Sequence, residues 1–195
     1  MSGVFQYDGI SLYSDYNGKY GTPDSTASLK AITATGANAV EIVPTEYTTS
    51  VTSSDIHADP NGTESDADVI KAINDAHADG LQVLLKPHVD PGDGNYRGAY
   101  APTDVAAWFH NYDTMITHCA TIAQQTHAEM FSIGCEFGSL SGAQYQTQWN
   151  QIIADVAWRW RPSRSRCSSP MTPGAAILRM TATCTSSPRR STATP

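Results

Sequence analysis

Residues 81–90 read LQVLLKPHVD, and the fold class turns on how this stretch is taken. Leu81 to Leu85 is an almost unbroken apolar run, the pattern of a parallel strand buried on both faces beneath helices. It leads into a polar loop, KPHVDPGDGNYRGAYAP, over residues 86–102. Helical periodicity flanks it on both sides. Upstream, a helix capped at Thr63 turns Val69, Ile70 and Ile73 inward and stops at Gly80. Downstream, Thr103 caps a helix whose stripe of Val105, Trp108, Phe109, Tyr112, Met115, Ile116, Cys119, Ile122 and Ala123 keeps one apolar face for five turns.

The same alternation continues outward. Gly9–Tyr13 reads as a first strand, followed by a helix with Thr22 as cap, Pro23 at its first position, Leu29 and Ile32 inward and Gly36 at its end. Asn38–Val43 (NAVEIV) reads as a second strand, and Met130–Ile133 as a fourth that runs into GCEFGSL. Ser141 and Gln144 form a capping box for a last helix carrying Tyr145, Trp149, Ile152, Ile153 and Val156. Strands alternating with helices predict an α/β fold with a parallel sheet. A whole (β/α)8 barrel takes about 250 residues, so four βα units within residues 1–157 amount to roughly half of one. A complete smaller α/β sheet is the competing architecture.

Charge divides the chain. All 19 acidic residues lie at or before Asp155, where only Lys19, Lys30, Lys71, Lys86 and Arg97 oppose them. Residues 158–195 carry seven Arg, seven Ser, six Thr and five Pro with no acid, a composition that buries no core and predicts disorder. That tail reads either as a basic arm for an acidic partner or as out-of-frame translation of GC-rich DNA, and the second reading is preferred because the last helix is cut in mid-turn. The acidic body argues against nucleic acid. No apolar run approaches the ~20 residues of a membrane-spanning helix. The first ten residues lack the basic and greasy parts of a signal peptide, so the chain reads as cytoplasmic by default. Cys119 and Cys135 sit in apolar patterns as buried free thiols, Cys167 and Cys184 lie in the tail, and no spacing suggests zinc or a redox pair.

In parallel α/β folds the chemistry collects where strand C-termini meet the following loops. Thr45, Glu46 and Tyr47 follow the second strand; Lys86, His88, Asp90 and then Arg97 follow the third; Glu136 follows the fourth. Glu136, between Gly134 and Gly138 among apolar residues, is the candidate general acid, since apolar surroundings raise a carboxyl pKa; the alternative is an ordinary loop glutamate. Lys86, costly to bury alone, pairs with Asp90 or Glu46 or meets a ligand. His88 is either a satisfied loop histidine or a site residue, and Arg97 either binds ligand or pins its loop through Asp93 or Asp90. Glu41, in the middle of a strand, has no evident role. His57, His77, His110, His118 and His127 read as helix-surface or helix-end residues. Asp59, Asn61 and Thr63 mimic the start of a calcium loop, but Glu64 stands where its glycine belongs and Ile70 where its last carboxylate belongs. Phosphate-loop, dinucleotide, serine-hydrolase and zincin motifs are lacking, so no cofactor and no metal is expected.

The strings GANAVEIVPTEY (36–47), TESDADVIKAINDAHADGLQVLLKPHVD (63–90), YRG (96–98), WFHNY (108–112) and IGCEF (133–137) resemble glycoside hydrolase family 113. The likeness spans about residues 8–156 in the family's order. It implies a (β/α)8 barrel and a retaining endo-β-1,4-mannanase chemistry acting on a polysaccharide or oligosaccharide. By that resemblance Glu136 matches the acid/base glutamate, Lys86, His88 and Arg97 match positions lining the sugar site, and Tyr47 is a stacking platform for a pyranose. Cys135 departs mildly from the family's Gly-Thr-Glu.

A retaining glycosidase needs a second carboxylate about 5–5.5 Å from the acid, and the family takes it from strand seven. No acid follows Asp155, and Glu46 is a poor stand-in, so the expectation is a truncated, inactive glycosidase chain. A non-catalytic carbohydrate-binding remnant and a basic-tailed interaction protein are the alternatives. The oligomeric state is left open; two half-barrels paired edge to edge would unite two copies of Glu136.

Overall fold

The computed structural model describes residues 6–14 and 16–161. The expectation for the tail therefore falls, from residue 162 onward, outside the described residues. Four parallel strands, β1 (Gly9–Tyr13), β2 (Ala39–Val43), β4 (Gln82–Leu85) and β6 (Met130–Phe131), form a sheet in the order β1-β2-β4-β6. A second parallel pair joins β3 (Thr45–Thr48) to β5 (His88–Pro91).

The second pair prolongs the first. Pro44 and Pro87 carry no N–H to donate to the ladder, so each strand is interrupted at the same level. Lys86 N still donates to Ile42 O at 2.9 Å and His88 N to Pro44 O at 2.9 Å, and pairing resumes with Thr45 beside His88 and Tyr47 beside Asp90. The segments read from sequence as loops after strands two and three thus begin as strand. Conversely the fourth strand is shorter than expected, ending at Phe131 instead of Ile133.

Helices α1 (Pro23–Ala34), α2 (Asp66–Ala78), α3 (Val105–Thr126) and α4 (Gln146–Arg159) supply the covering layer. Thr22 caps α1 as expected, accepting from Ser25 N. Elsewhere the cap lies one or two residues beyond the expected one: Ser65 caps α2 and Asp104 caps α3. The expected capping box of Ser141 and Gln144 does not form, because short 3-10 turns over Gly138–Leu140 and Ala143–Tyr145 precede α4. α4 runs past Val156, and Trp160 beyond it is buried against Phe131.

Successive residues of a strand face opposite sides of its sheet. Val40, Ile42, Val83, Leu85, Val89 and Phe131 point into the core with Leu29, Ile73, Trp108, Tyr112 and Ile116 from the helices. Their neighbours, including Glu41, Leu84, His88 and Asp90, belong to the other face, which no described helix covers. That face carries the site.

Candidate active site

Glu136 stands just beyond β6 with φ 57, a left-handed conformation that costs a non-glycine residue about 1–2 kcal/mol. Its segment is clamped from the core. Tyr112 donates its hydroxyl to Ile133 O at 2.9 Å, Trp149 Nε1 donates to Leu140 O at 2.7 Å, and Phe137 packs against Trp108, Tyr112 and Trp149. The apolar stripe of α3 therefore does more than bury surface; it fixes the turn that presents the carboxylate. The enclosed, apolar setting expected for Glu136 is not what the structure has, since its side chain is 52% exposed on the open face.

Arg97 is the hub. Its Nε lies 3.0 Å from Asp90 Oδ1 and 3.6 Å from Glu136 Oε2, and its NH1 donates to His88 Nδ1. Of the two pinning partners considered, Asp90 is the one used, while Asp93 accepts from Val51 N at 3.0 Å and belongs to the outer loop. Burial opposes ionisation of Asp90 and pushes its carboxyl up, against the pull of Arg97. His88 is driven the other way, down to about 3, by burial first and by the positive charges of Arg97 and Lys86. It is neutral at ordinary pH. Because Nδ1 accepts from a guanidinium, the proton sits on Nε2, an atom with no partner among the described residues. That Nε2–H is itself buried, so His88 acts through its contact with Arg97.

Lys86 pairs with neither carboxylate expected for it. Its Nζ meets Glu41 Oε1 at 3.2 Å, which also accounts for the charge in the middle of β2. A carboxylate at that pleat position, with a lysine two residues beyond its neighbour in the next strand, was a readable signal of this pair. Tyr47 lies on the same face, beside Asp90 in register.

Glu46 does not. It is in register with Val89, whose side chain is in the core, and so it points to the helix side. There it lines a small cavity with Asp66, His118 and Cys119, and burial pushes its carboxyl up against the nearby His118 and His57. Glu46, named above as a strand-end candidate and a poor stand-in for the second carboxylate, thus lies on the helix side of the sheet, away from Glu136. His57 is likewise no helix residue; it bridges backbone to backbone with Tyr47.

Among the described residues no group of three or more His, Cys, Asp or Glu is arranged to hold a metal ion. Asp59 Oδ1 is occupied by the N–H groups of Asn61 and Gly62 at 2.8 and 2.7 Å, an Asx turn. Cys119 and Cys135 are buried free thiols, as expected. No described helix is long and apolar enough to cross a membrane.

The model of Glycoside Hydrolase Family 113 matches residues 12–162. No curated protein is similar enough to count as a match. Among solved structures, one described as a complex of a β-1,4-mannanase of that family has 25% identity and a TM-score of 0.74, covering 79% of this chain and 52% of the other. The β-mannanase of Alicyclobacillus acidocaldarius in complex with ManMIm has 29% identity and a TM-score of 0.74, covering 78% of this chain and 51% of its own. The chain thus spans about half the length of these structures, with a partial barrel of the same α/β type. Since the family match takes in the greater part of the sequence, from within β1 to just past α4, the chain belongs to Glycoside Hydrolase Family 113.

Proposed function

We propose that the open face of the sheet is the acid/base half of a retaining β-mannan glycosidase site, with Glu136 as the acid/base carboxyl. What carries the reading is that the one non-glycine residue other than His127 with positive φ among those described is a half-exposed glutamate aimed at a shared guanidinium. Strain of this kind persists where surrounding structure over-determines it, and it gathers at functional sites.

In this reading Glu136 delivers a proton to the glycosidic oxygen as the C–O bond breaks and later takes one from the attacking water. Arg97 holds Glu136 and Asp90 in fixed directions. Neutral His88 lies at the floor of the sugar site and holds Arg97, Lys86 holds a sugar hydroxyl, and Tyr47 offers a ring face to a pyranose. Substrate specificity for β-linked mannose rests on the family and on the two mannanase structures.

Turnover needs a second carboxylate across the scissile bond, about 5–5.5 Å from the acid. Asp90 is tied to Arg97 and Glu46 faces the other way. Residues 1–195 by themselves are therefore proposed to bind manno-oligosaccharide without hydrolysing it. Titrating the chain with mannotriose while following the His88 ring resonances tests this. Perturbation in the wild type that is lost in Arg97→Ala supports the reading, and absence of any perturbation refutes it. Release of mannose or mannobiose that stops in Glu136→Gln would keep the acid assignment and overturn the inactivity.

A further inference from the structure

The site on the open face leaves one acid of the strand ends unused. Glu46 lies on the helix side of β3, in the wall of a cavity of about 30 Å³ shared with Glu64, Asp66, Met115, His118 and Cys119. Such a space takes about one or two water molecules and no sugar. Asp66 of α2 and His118 of α3 are tied to each other, with His118 Nε2 at 3.0 Å from both carboxylate oxygens of Asp66. Glu64 is occupied by Ser14 Oγ and by the N–H groups of Gly18, Lys19 and Tyr20. Burial pushes the Cys119 thiol up, so it stays neutral. Among the described residues the Glu46 carboxyl has no hydrogen-bond partner, and the charges that reach it are those of His118, His57 and Asp66.

A carboxylate in this setting lacks what would hold it. The imidazole that could neutralise it is already engaged by Asp66, Asp66 itself repels a second negative charge, and the cavity is too small to hydrate one. A neutral carboxyl meets none of these penalties. The strand that carries it is lightly held: β3 has four residues, pairs with β5 along one edge and is bridged at Tyr47 to His57 along the other. Successive strand residues face opposite sides, so Glu46 among the helices and Tyr47 on the open face are joined by one peptide unit. The Tyr47 ring in turn is closely seated on Gly62, where a Cβ would stand 2.8 Å from the ring carbon Cε2 and 2.8 Å from the hydroxyl oxygen. A small movement of β3 therefore changes the contact of that ring.

We propose that Glu46 is a positioning residue that, while protonated, holds β3 and with it Tyr47 against α2 and α3, and that releases them when it ionises. The held form prevails in acid. Burial and the neighbouring Asp66 push the Glu46 carboxyl above its ordinary value of 4.5, against His118 and His57, so the folded chain binds this proton more firmly than the unfolded one. The stability that the proton contributes is whole below that ordinary value and is lost as pH rises through the higher value of the folded chain. The movement of Tyr47 is independent of what binds the open face; its effect on a sugar rests on the glycosidase reading above.

The test follows the Tyr47 ring resonances of residues 1–195 through a pH titration in the absence of sugar. In the wild type they are expected to shift with a midpoint above 4.5. Glu46→Gln, neutral at every pH, should keep them at the acid position throughout. Asp66→Asn removes the repelling carboxylate and leaves His118 to face Glu46, so its midpoint should fall below that of the wild type; this variant carries the test should Glu46→Gln not fold. A Tyr47 ring that does not titrate in the wild type, that titrates unchanged in Glu46→Gln, or whose midpoint is unmoved in Asp66→Asn overturns the proposal. Mannotriose that fails to perturb His88, while Tyr47 titrates through Glu46, overturns the glycosidase reading alone and leaves the positioning role of Glu46 supported.

Discussion

Glu136 holds its backbone at φ 57 although it has a side chain, and the surrounding aromatic packing supplies the free energy that keeps it there. Glu136→Gly should therefore not lower stability and should raise it by up to about 1 kcal/mol in urea unfolding. A loss of more than that would mean that the carboxylate, through Arg97, stabilises the turn. His88 allows a sharper test. Its pKa in the folded chain is depressed to about 3, below the ordinary value of 6.5, so the folded state binds fewer protons than the unfolded one between those limits. The stability it contributes is whole above about pH 6.5 and is lost as pH falls toward about 3. Its ring resonances should stay unchanged from pH 7.5 to pH 5 and should begin to titrate in that range in Arg97→Ala, with removal of the adjacent positive charge. A wild-type midpoint near 6.5 would contradict the buried, cation-flanked setting.

At the scale of the elements, two devices hold the strand ends in place. The first is Glu64, buried just before α2, which accepts from Ser14 Oγ at 2.6 Å and from the N–H groups of Gly18, Lys19 and Tyr20 at 2.8, 2.9 and 2.7 Å. It organises the segment that follows β1, and Tyr20 then donates its hydroxyl to Leu12 O at 2.6 Å. Glu64→Gln leaves one amide group facing donors it cannot satisfy and should cost about 2–4 kcal/mol. Limited proteolysis should show the new cleavage within residues 16–20; unchanged resistance would show that the segment holds itself. The second device is the aromatic cluster on α3. Trp108, fully buried, stacks on Tyr112 at 5.0 Å and 7° and meets Phe137 edge-on at 5.2 Å. Trp108→Ala should cost about 3–5 kcal/mol and loosen the Glu136 turn, read as broadened resonances for residues 134–138. Sharp, unshifted resonances there would separate the core from the site.

On the scale of the whole molecule, the described strands are unequal. β2 and β4 each have a neighbour on both sides, whereas β1 and β6 have one each among the described residues. The four helices pack in sequence, α1 on α2, α2 on α3 and α3 most extensively on α4, so the deepest protection belongs to the middle of the sheet and α3. Hydrogen exchange of residues 1–195 should follow that order, with amides of Val40, Ile42, Val83 and Leu85 slowest and those of β1 fast. Equal protection of β1 would mean that another chain covers its edge, the usual answer to an open sheet edge.

Much of this was legible from the residues alone. The stripe of α3, the apolar run before Lys86, the βα alternation and the placing of Lys86, His88, Arg97 and Glu136 beyond the third and fourth strands of the main sheet all follow from periodicity and cap chemistry, which act over a few neighbouring residues. The motifs of the family lay on those same ends. Pairing was another matter. That Lys86 meets Glu41, that Arg97 brings Asp90 and His88 of its own loop to Glu136, and that Glu46 turns its back on them depend on how strands some forty residues apart are set beside one another. Pro44 and Pro87 stand side by side only after folding, and their alignment lets both strands resume and carries Tyr47 and Asp90 onto one face. Sequence by itself determined the order of strands and helices and the apolar face of each helix, because periodicity is local, while β3, β5 and several element ends emerged only in the structure. The tertiary structure alone decided which charges share a site, because a shift of one residue in register would send each side chain to the opposite face of the sheet.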